Sequence, residues 1–340
     1  MGTPYDAFLL VSFGGPEEPD DVMPFLENVT RGRNIPRQRL LEVAEHYHHF
    51  GGKSPINDQN RALMAALKTQ FADRGIDLPI YWGNRNWQPY LADTLAQMRD
   101  DGIGRAIAFF TSAFSSYSGC RQYRENIAAA QEQAGPGAPQ VDRLRMFFNH
   151  PGFIEPMVER LASALAQLPA QRRAGAHLLF TAHSIPLGMA ANCQYEVQLR
   201  DACSLVAAGA GHPAWRLVYQ SRSGPPSQPW LEPDVSVALG EIATGSGSRD
   251  VIVVPIGFIS DHLEVLYDLD DEAARHAQKL SLNFIRAATV GTHPRFVQMI
   301  RELVEERMAE HPVRLALGTL GPSHDVCPID CCRYEPRRGA

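Results

Sequence analysis

The chain has 340 residues, 44% hydrophobic and 21% charged, with a formal net charge of −6. That length accommodates two domains of ordinary size, each with its own core. The mildly acidic balance argues against general nucleic-acid binding, which needs a basic face, and no stretch reaches the roughly 18 apolar residues of a membrane span.

The opening MGTPYDAFLLVSFGGP carries an apolar run with no basic segment before it and no cleavage site after it. It reads as a first strand over 6–13, not a signal peptide, and points to a cytoplasmic protein. The SFGGP that follows lacks the spacing of either phosphate-loop motif, so Gly14 and Gly15 are expected to let the chain turn closely against a flat ligand. FLENVTRGRNIPRQR at 25–39 is polar and basic, with Arg31, Arg33, Arg37 and Arg39. In HYHHF at 46–50, only His46 and His49 have metal-ligand spacing on a helix, and a partly exposed helix face is the plainer reading. FGGKSPIN at 50–57 is a turn in which Ser54 can offer a hydroxyl and backbone N–H groups to a carboxylate.

Helical periodicity at 58–73, 90–101 and 121–134 then alternates with strand-like runs at 79–83 and 105–111. A break is expected around 145–172, near the basic, Ala-rich QRRAGA. The alternation resumes with helices at 154–167, 190–209 and 294–310, and strands at 176–182, 216–220, 250–257 and, as a fourth, 282–288. Strand–helix alternation means right-handed βαβ units and parallel sheets. The expected architecture is therefore α/β. Two similar doubly wound, Rossmann-like lobes, at 1–150 and 151–318, flank a cleft, and a cysteine-bearing tail occupies 319–340.

Two apolar strands run out onto polar termini: HLLFTAHSIP at 177–186 and VIVVPIGFISDHLEVLYDLD at 251–270. Ligands of open α/β sheets sit beyond the carboxyl ends of such strands. His183 on one, with Asp261, His262 and Glu264 on the other, can therefore converge on one cleft. Imidazole and carboxylate together hold a divalent metal or take up protons near neutral pH. Glu264, Asp268 and Asp271 fall on one helical face, which suits a path for a cation inward or protons outward. Acids in a first helical turn would explain Asp261 and Glu264, but not the run through Asp268, Asp270 and Asp271.

The tail has no periodicity. Its Cys327, Cys331 and Cys332 suit a metal or iron–sulfur site better than disulfides, because adjacent cysteines are poorly placed to bridge each other. Cys120, Cys193 and Cys203 are scattered through the body.

FGGP, R-G-R at 31–33, FGGKSPIN, YWGNRNW, SSYSGCRQY, FTAHSIP, YQSRSGPP-x-x-PWLEPD and SDHLEVLYDLD occur in the order found in ferrochelatases. Over roughly 5–318 the chain resembles that family, and it is similar to the actinobacterial type that inserts Fe²⁺ into coproporphyrin III during haem synthesis. The resemblance implies that His183 and Glu264 bind the substrate iron and accept protons. It also implies that Ser54 and Tyr123 contact the porphyrin and that Asp268 continues a conduit. Cys120, Cys327, Cys331 and Cys332 resemble the ligand set of a [2Fe–2S] cluster, and a monomer is expected. Many bacterial coproporphyrin enzymes of this kind carry an axial tyrosine at the first strand end, where this chain has Phe13. The polar, basic 25–39 segment favours the tetracarboxylate coproporphyrin III over protoporphyrin IX. The rival readings are iron insertion into protoporphyrin IX, cobalt insertion into a related ring, and a tetrapyrrole- or iron-binding sensor without turnover.

Overall fold

The computed structural model describes residues 5–32, 35–224 and 227–334, so Arg33 lies outside the described residues. Among the described residues, eight strands form two four-stranded parallel sheets. The first contains β1 (Ala7–Ser12), β2 (Ile80–Asn84), β3 (Arg105–Phe110) and β4 (Gln140–Arg143) in the order β2-β1-β3-β4. The second contains β5 (His177–His183), β6 (Trp215–Gln220), β7 (Asp250–Val254) and β8 (Asn283–Arg286) in the order β6-β5-β7-β8. The two halves thus repeat one topology. β4 has no counterpart among the expected strands, being a four-residue edge strand rich in polar side chains.

Strand alternation explains why the apolar runs are continuous. Phe8 and Leu10 of β1 face a central core, while Ala7, Leu9 and Val11 face an outer layer containing the helices Leu91–Asp100 and Gln122–Ala134. In the second sheet, Leu178 and Phe180 face the centre, and Leu179, Val251 and Val253 face the outer helix Val235–Thr244. Sheets covered on both faces need apolar residues at odd and even positions alike.

The central core is shared between the sheets, where the sequence suggested one core per lobe. It joins side chains of β1, β3, β5 and β7 through the helices Ile56–Ala72, Pro151–Ala166, Tyr195–Gly209 and Pro294–Met308. Phe147 sits at its middle, with ring centroids 5.1 Å from Phe109, 5.7 Å from Phe153 and 5.8 Å from Phe296. Each such buried phenylalanine contributes about 1.5–3 kcal/mol of transfer free energy.

The helix Pro151–Ala166 starts where it does for local reasons. Proline at its first position lacks the N–H that would go unpaired there, and His150 Nδ1 accepts from the Gly152 N–H at 3.0 Å. Burial, then the charges of Arg145 and Arg295, push the His150 ring down to about 3, so it stays neutral. Next to it, Arg145 forks onto Glu306 of the last helix at 2.7 and 2.9 Å, joining the segment after β4 to Pro294–Met308. The tail then turns back over the first half. The Leu317 N–H donates to the Asn149 carbonyl oxygen at 2.8 Å, and Asn149 Nδ2 donates to the Gly321 carbonyl oxygen at 2.8 Å. Among the described residues, no helix is long and apolar enough to cross a membrane.

Candidate active site

His183 is the last residue of β5. Its Nδ1 lies 2.5 Å from the Ser184 carbonyl oxygen. A carbonyl can only accept, so in the neutral ring Nδ1 carries the proton and Nε2 keeps a lone pair. That lone pair faces Glu264, whose Oε1 is 3.9 Å away. The Tyr195 hydroxyl donates to the His183 carbonyl oxygen at 3.0 Å and fixes the strand end. Glu264 is exposed, whereas His183 is half-buried. Two lone-pair donors thus face one another with room for a cation between them.

Glu264 begins a continuous helical run. The turns over Leu266–Ala273 are π-helical, and α-helix resumes at Ala274–Lys279. The i→i+5 bonding widens the turn, and positions four apart stay on one face. Asp268 therefore follows Glu264 inward. It accepts from Gln220 Nε2 at 3.3 Å and from the Ser221 hydroxyl. Its carboxyl is pushed up to about 7, chiefly by burial, with Ser221 opposing the shift and the charge of Glu264 adding to it. The sequence does not single out Gln220 and Ser221, although both lie in YQSRSGPP, one of the segments that carry the resemblance.

The other acids of the motif point elsewhere. Arg286 pairs with Asp261 at 2.8 Å and with Asp270 at 2.5 Å. Asp271 pairs with Arg275 and stands 3.8 Å from His49. The single acidic stripe expected through Asp271 is thus a line of two, Glu264 and Asp268, beside neutralised neighbours. His262 packs edge-on against Phe258 at 5.1 Å, and burial lowers its proton affinity.

The first sheet presents a different terminus. Gly14 has φ +83°, and a Cβ there would fall 2.9 Å from Asn84 Cβ. A Cβ on Gly15 would fall 2.7 Å from Ser54 Cβ. The glycines therefore allow the β1 end to pack on protein neighbours. Ser54 and Tyr123 are both 4% exposed. The Tyr123 ring stacks on Phe110 at 4.9 Å and lies under the Arg85 guanidinium at 4.4 Å. Arg85 also lies 5.7 Å from the ring of the exposed Phe13, and its Nε donates to Asn126 Oδ1 at 2.7 Å. Arg85 went unnoticed as a site residue in the sequence, although it lies in YWGNRNW, one of the segments that carry the resemblance.

A cavity of 530 Å³ opens here, lined among others by Asn28, Arg31, Asn84, Arg85 and Asn126. Of the expected basic group, Arg31 faces this space. Arg37 and Arg39 are spent on surface pairs with Glu27 and Glu42. A second cavity of 530 Å³ is bordered by His46, His49, Tyr267 and Asp271. There the His46 ring stacks on Tyr267 at 3.8 Å.

The tail cysteines approach the first lobe. Cys120 Sγ and Cys327 Sγ are 3.9 Å apart, and Cys331 and Cys332 Sγ are 3.6 Å apart. Two sulfurs on one tetrahedral metal, bound at about 2.3 Å, lie about 3.8 Å apart. Both pairs match that edge. Among the described residues, His324, Cys327 and Cys331 form the only group of three or more potential ligands within 4.8 Å of one another. Cys120 and Cys332 fall outside that group, so the four thiols are not all within 4.8 Å of one another. Hydrogen bonding with Cys120 comes first among the causes that lower Cys327 to about 4 and push Cys120 up. Cys203 is buried in the central core, and the Cys193 thiol donates to the Met189 carbonyl oxygen at 3.3 Å.

The sequence profile described as Ferrochelatase matches residues 5–308. A curated protein named ferrochelatase from Rhodopirellula baltica is 62% identical over 98% of this chain and 95% of its own length. One named coproporphyrin III ferrochelatase from Streptomyces coelicolor is 54% identical over 99% of this chain and 96% of its own. Among solved structures, SirB from Bacillus subtilis with Fe³⁺ aligns with a TM-score of 0.56 at 11% identity, covering 88% of this chain and 96% of that one. That last likeness concerns the fold.

Proposed function

The chain belongs to the ferrochelatase family, and from that premise we propose that it inserts Fe²⁺ into coproporphyrin III. The reaction exchanges two pyrrole N–H protons for one Fe²⁺. A catalyst must bring the metal over the ring, accept two protons and hold the ring. The observation that carries the reading is the His183 Nε2 lone pair set against Glu264, with the buried, high-pKa Asp268 behind them.

In this reading, His183 and Glu264 form a two-donor landing place for Fe²⁺, since imidazole nitrogen and carboxylate oxygen both suit it. As the metal moves to the pyrrole nitrogens, the freed donors accept the departing protons. Asp268 takes a proton onward, because a carboxyl poised near 7 exchanges readily at neutral pH. Phe13 offers no ligand atom, so iron in the ring is not held through that position. Ser54 and Tyr123, each 4% exposed, would support the ring site from beneath its surface. Arg31 and Arg85 supply charge for propionates, which favours the tetracarboxylate substrate, as do relatives named for coproporphyrin III.

Cys120, Cys327, Cys331 and Cys332 would hold a [2Fe–2S] cluster as two sulfur pairs, and the bound cluster would crosslink tail and lobe. A monomer in the reducing cytoplasm fits free thiols and this tail. Comparing anaerobic turnover of coproporphyrin III and protoporphyrin IX tests the assignment. Preference for coproporphyrin III is expected, and faster metallation of protoporphyrin IX would sink it.

A further inference from the structure

Arg143 closes β4 and is 7% exposed. Its Nη2 donates to Cys327 Sγ at 3.0 Å and to the His324 carbonyl oxygen at 3.2 Å. Its Nε and Nη1 are buried without a hydrogen-bond partner. No carboxylate pairs with it among the described residues. A buried guanidinium is costly unless an anion compensates it. The side-chain group it donates to is the Cys327 sulfur, which is a thiolate whenever it ligates a metal. The neighbouring Arg124 and Arg121 do other work, donating to backbone carbonyls of the tail. Arg124 Nη1 reaches the Cys327 oxygen at 3.5 Å, and Arg121 Nη1 reaches the Ile329 and Cys331 oxygens at 3.0 Å each. Arg143 alone among the three donates to a sulfur.

We propose that Arg143 is the counter-ion of the iron–sulfur centre and sets its reduction potential through Cys327. The inference rests on the cluster reading given above. A cluster of two ferric ions, two sulfides and four thiolates is a dianion. One electron from an external donor such as dithionite converts one ferric ion to ferrous and makes it a trianion, with no bond broken and no proton moved. A fixed cation donating to a ligand sulfur stabilises the trianion more than the dianion, which raises the potential. Packing alone would not produce that bias.

The test is an anaerobic redox titration of the full-length, cluster-loaded protein, followed by its visible absorption and by the paramagnetism of the reduced centre. In Arg143→Gln, the midpoint is expected to move negative far enough to lower the reduced-to-oxidised ratio at the parent midpoint about tenfold, which is about 59 mV for one electron. Arg143→Lys keeps the charge and is expected to move less than half as far. An unmoved midpoint in the glutamine variant overturns the inference while leaving the cluster reading intact. Equal shifts in both variants also overturn it, since charge would then be irrelevant. If only the glutamine variant fails to load a cluster, the charge pairing is supported; if both fail, a packing role replaces it. A parent protein without iron and sulfide after reconstitution overturns the cluster reading and this inference together.

Discussion

The two sheets share a strand order yet end in opposite chemistries. Beyond the first, Arg85 meets aromatic rings and the Asn126 amide and Arg31 lines the same cavity as Asp93, while Arg143 at the end of β4 meets a sulfur. Beyond the second, a histidine and two carboxylates stand in line, and the remaining acids of that motif are cancelled by Arg286 and Arg275. The repeated topology supplies two equivalent platforms, and the residues at the strand ends divide the labour. In the proposed function, the platform with Arg31 and Arg85 would hold an anionic ligand, and the one with His183 and Glu264 would collect a cation or protons. Fold symmetry therefore says where chemistry sits and nothing about which kind.

That division can be broken from either side. The largest effect is expected at His183. In His183→Ala, metallation should fall by about 10²–10⁴, the range for losing a positioned proton-transfer group. Porphyrin affinity should stay within a few-fold, as measured by fluorescence titration. Loss of affinity with unchanged turnover would move the chemistry to the other platform.

Next in size is the joint between the halves. Glu306→Ala leaves Arg145 buried and unpaired, and removing one partner of such a pair costs about 3–5 kcal/mol. Chemical denaturation should show that loss as one cooperative transition, because the central core is continuous. Two separated transitions would mean that the lobes are independent after all.

Asp268 gives a pH signature. Its folded pKa, about 7, exceeds the ordinary value of about 4. The folded state therefore binds more protons between those values, and stability falls as pH rises through that window. Asp268→Asn should melt higher than the parent at pH 8. In the parent, kcat/KM should rise with pH through about 7, and the variant should lack that limb. A limb retained in Asp268→Asn would assign it to another group.

The smallest effect separates two arginines that look alike in sequence. Arg31→Ala should raise KM for coproporphyrin III by about tenfold, as for losing one charge-assisted hydrogen bond. Arg37→Ala, already paired with Glu27 at the surface, should change KM and stability hardly at all. Steady-state kinetics on both variants would sharpen or erase the claim that the cavity near Arg31 receives propionates.

Much of this architecture is legible in the primary structure because parallel strands covered on both faces must be apolar throughout. The runs ending at Ser12 and His183 say so directly. β4 escapes because Gln140, Asp142 and Arg143 interrupt any apolar run, and a four-residue edge strand needs little hydrophobicity. His183 and Glu264 could be singled out because each follows an apolar run. The fate of Asp261 and Asp270 could not, since it depends on Arg286, which lies 25 and 16 residues away. The π-helical winding was equally hidden, because acids spaced by four read as an ordinary α-helical face. Arg143 is the hardest case. Its significance depends on contacts with Cys327, 184 residues later.

The widened turn at Leu266–Ala273 invites an evolutionary reading. A π-helical turn is one residue more than an α-helix of the same span needs, so it can be viewed as an insertion that was never smoothed away. Deleting a single residue there would let regular α-helical bonds close and would strengthen the helix. It would also turn Asp268 relative to Ser221 and Gln220, the two residues that donate to its carboxyl. The widened turn is thus a place where the chain trades helical firmness for the position of one acid.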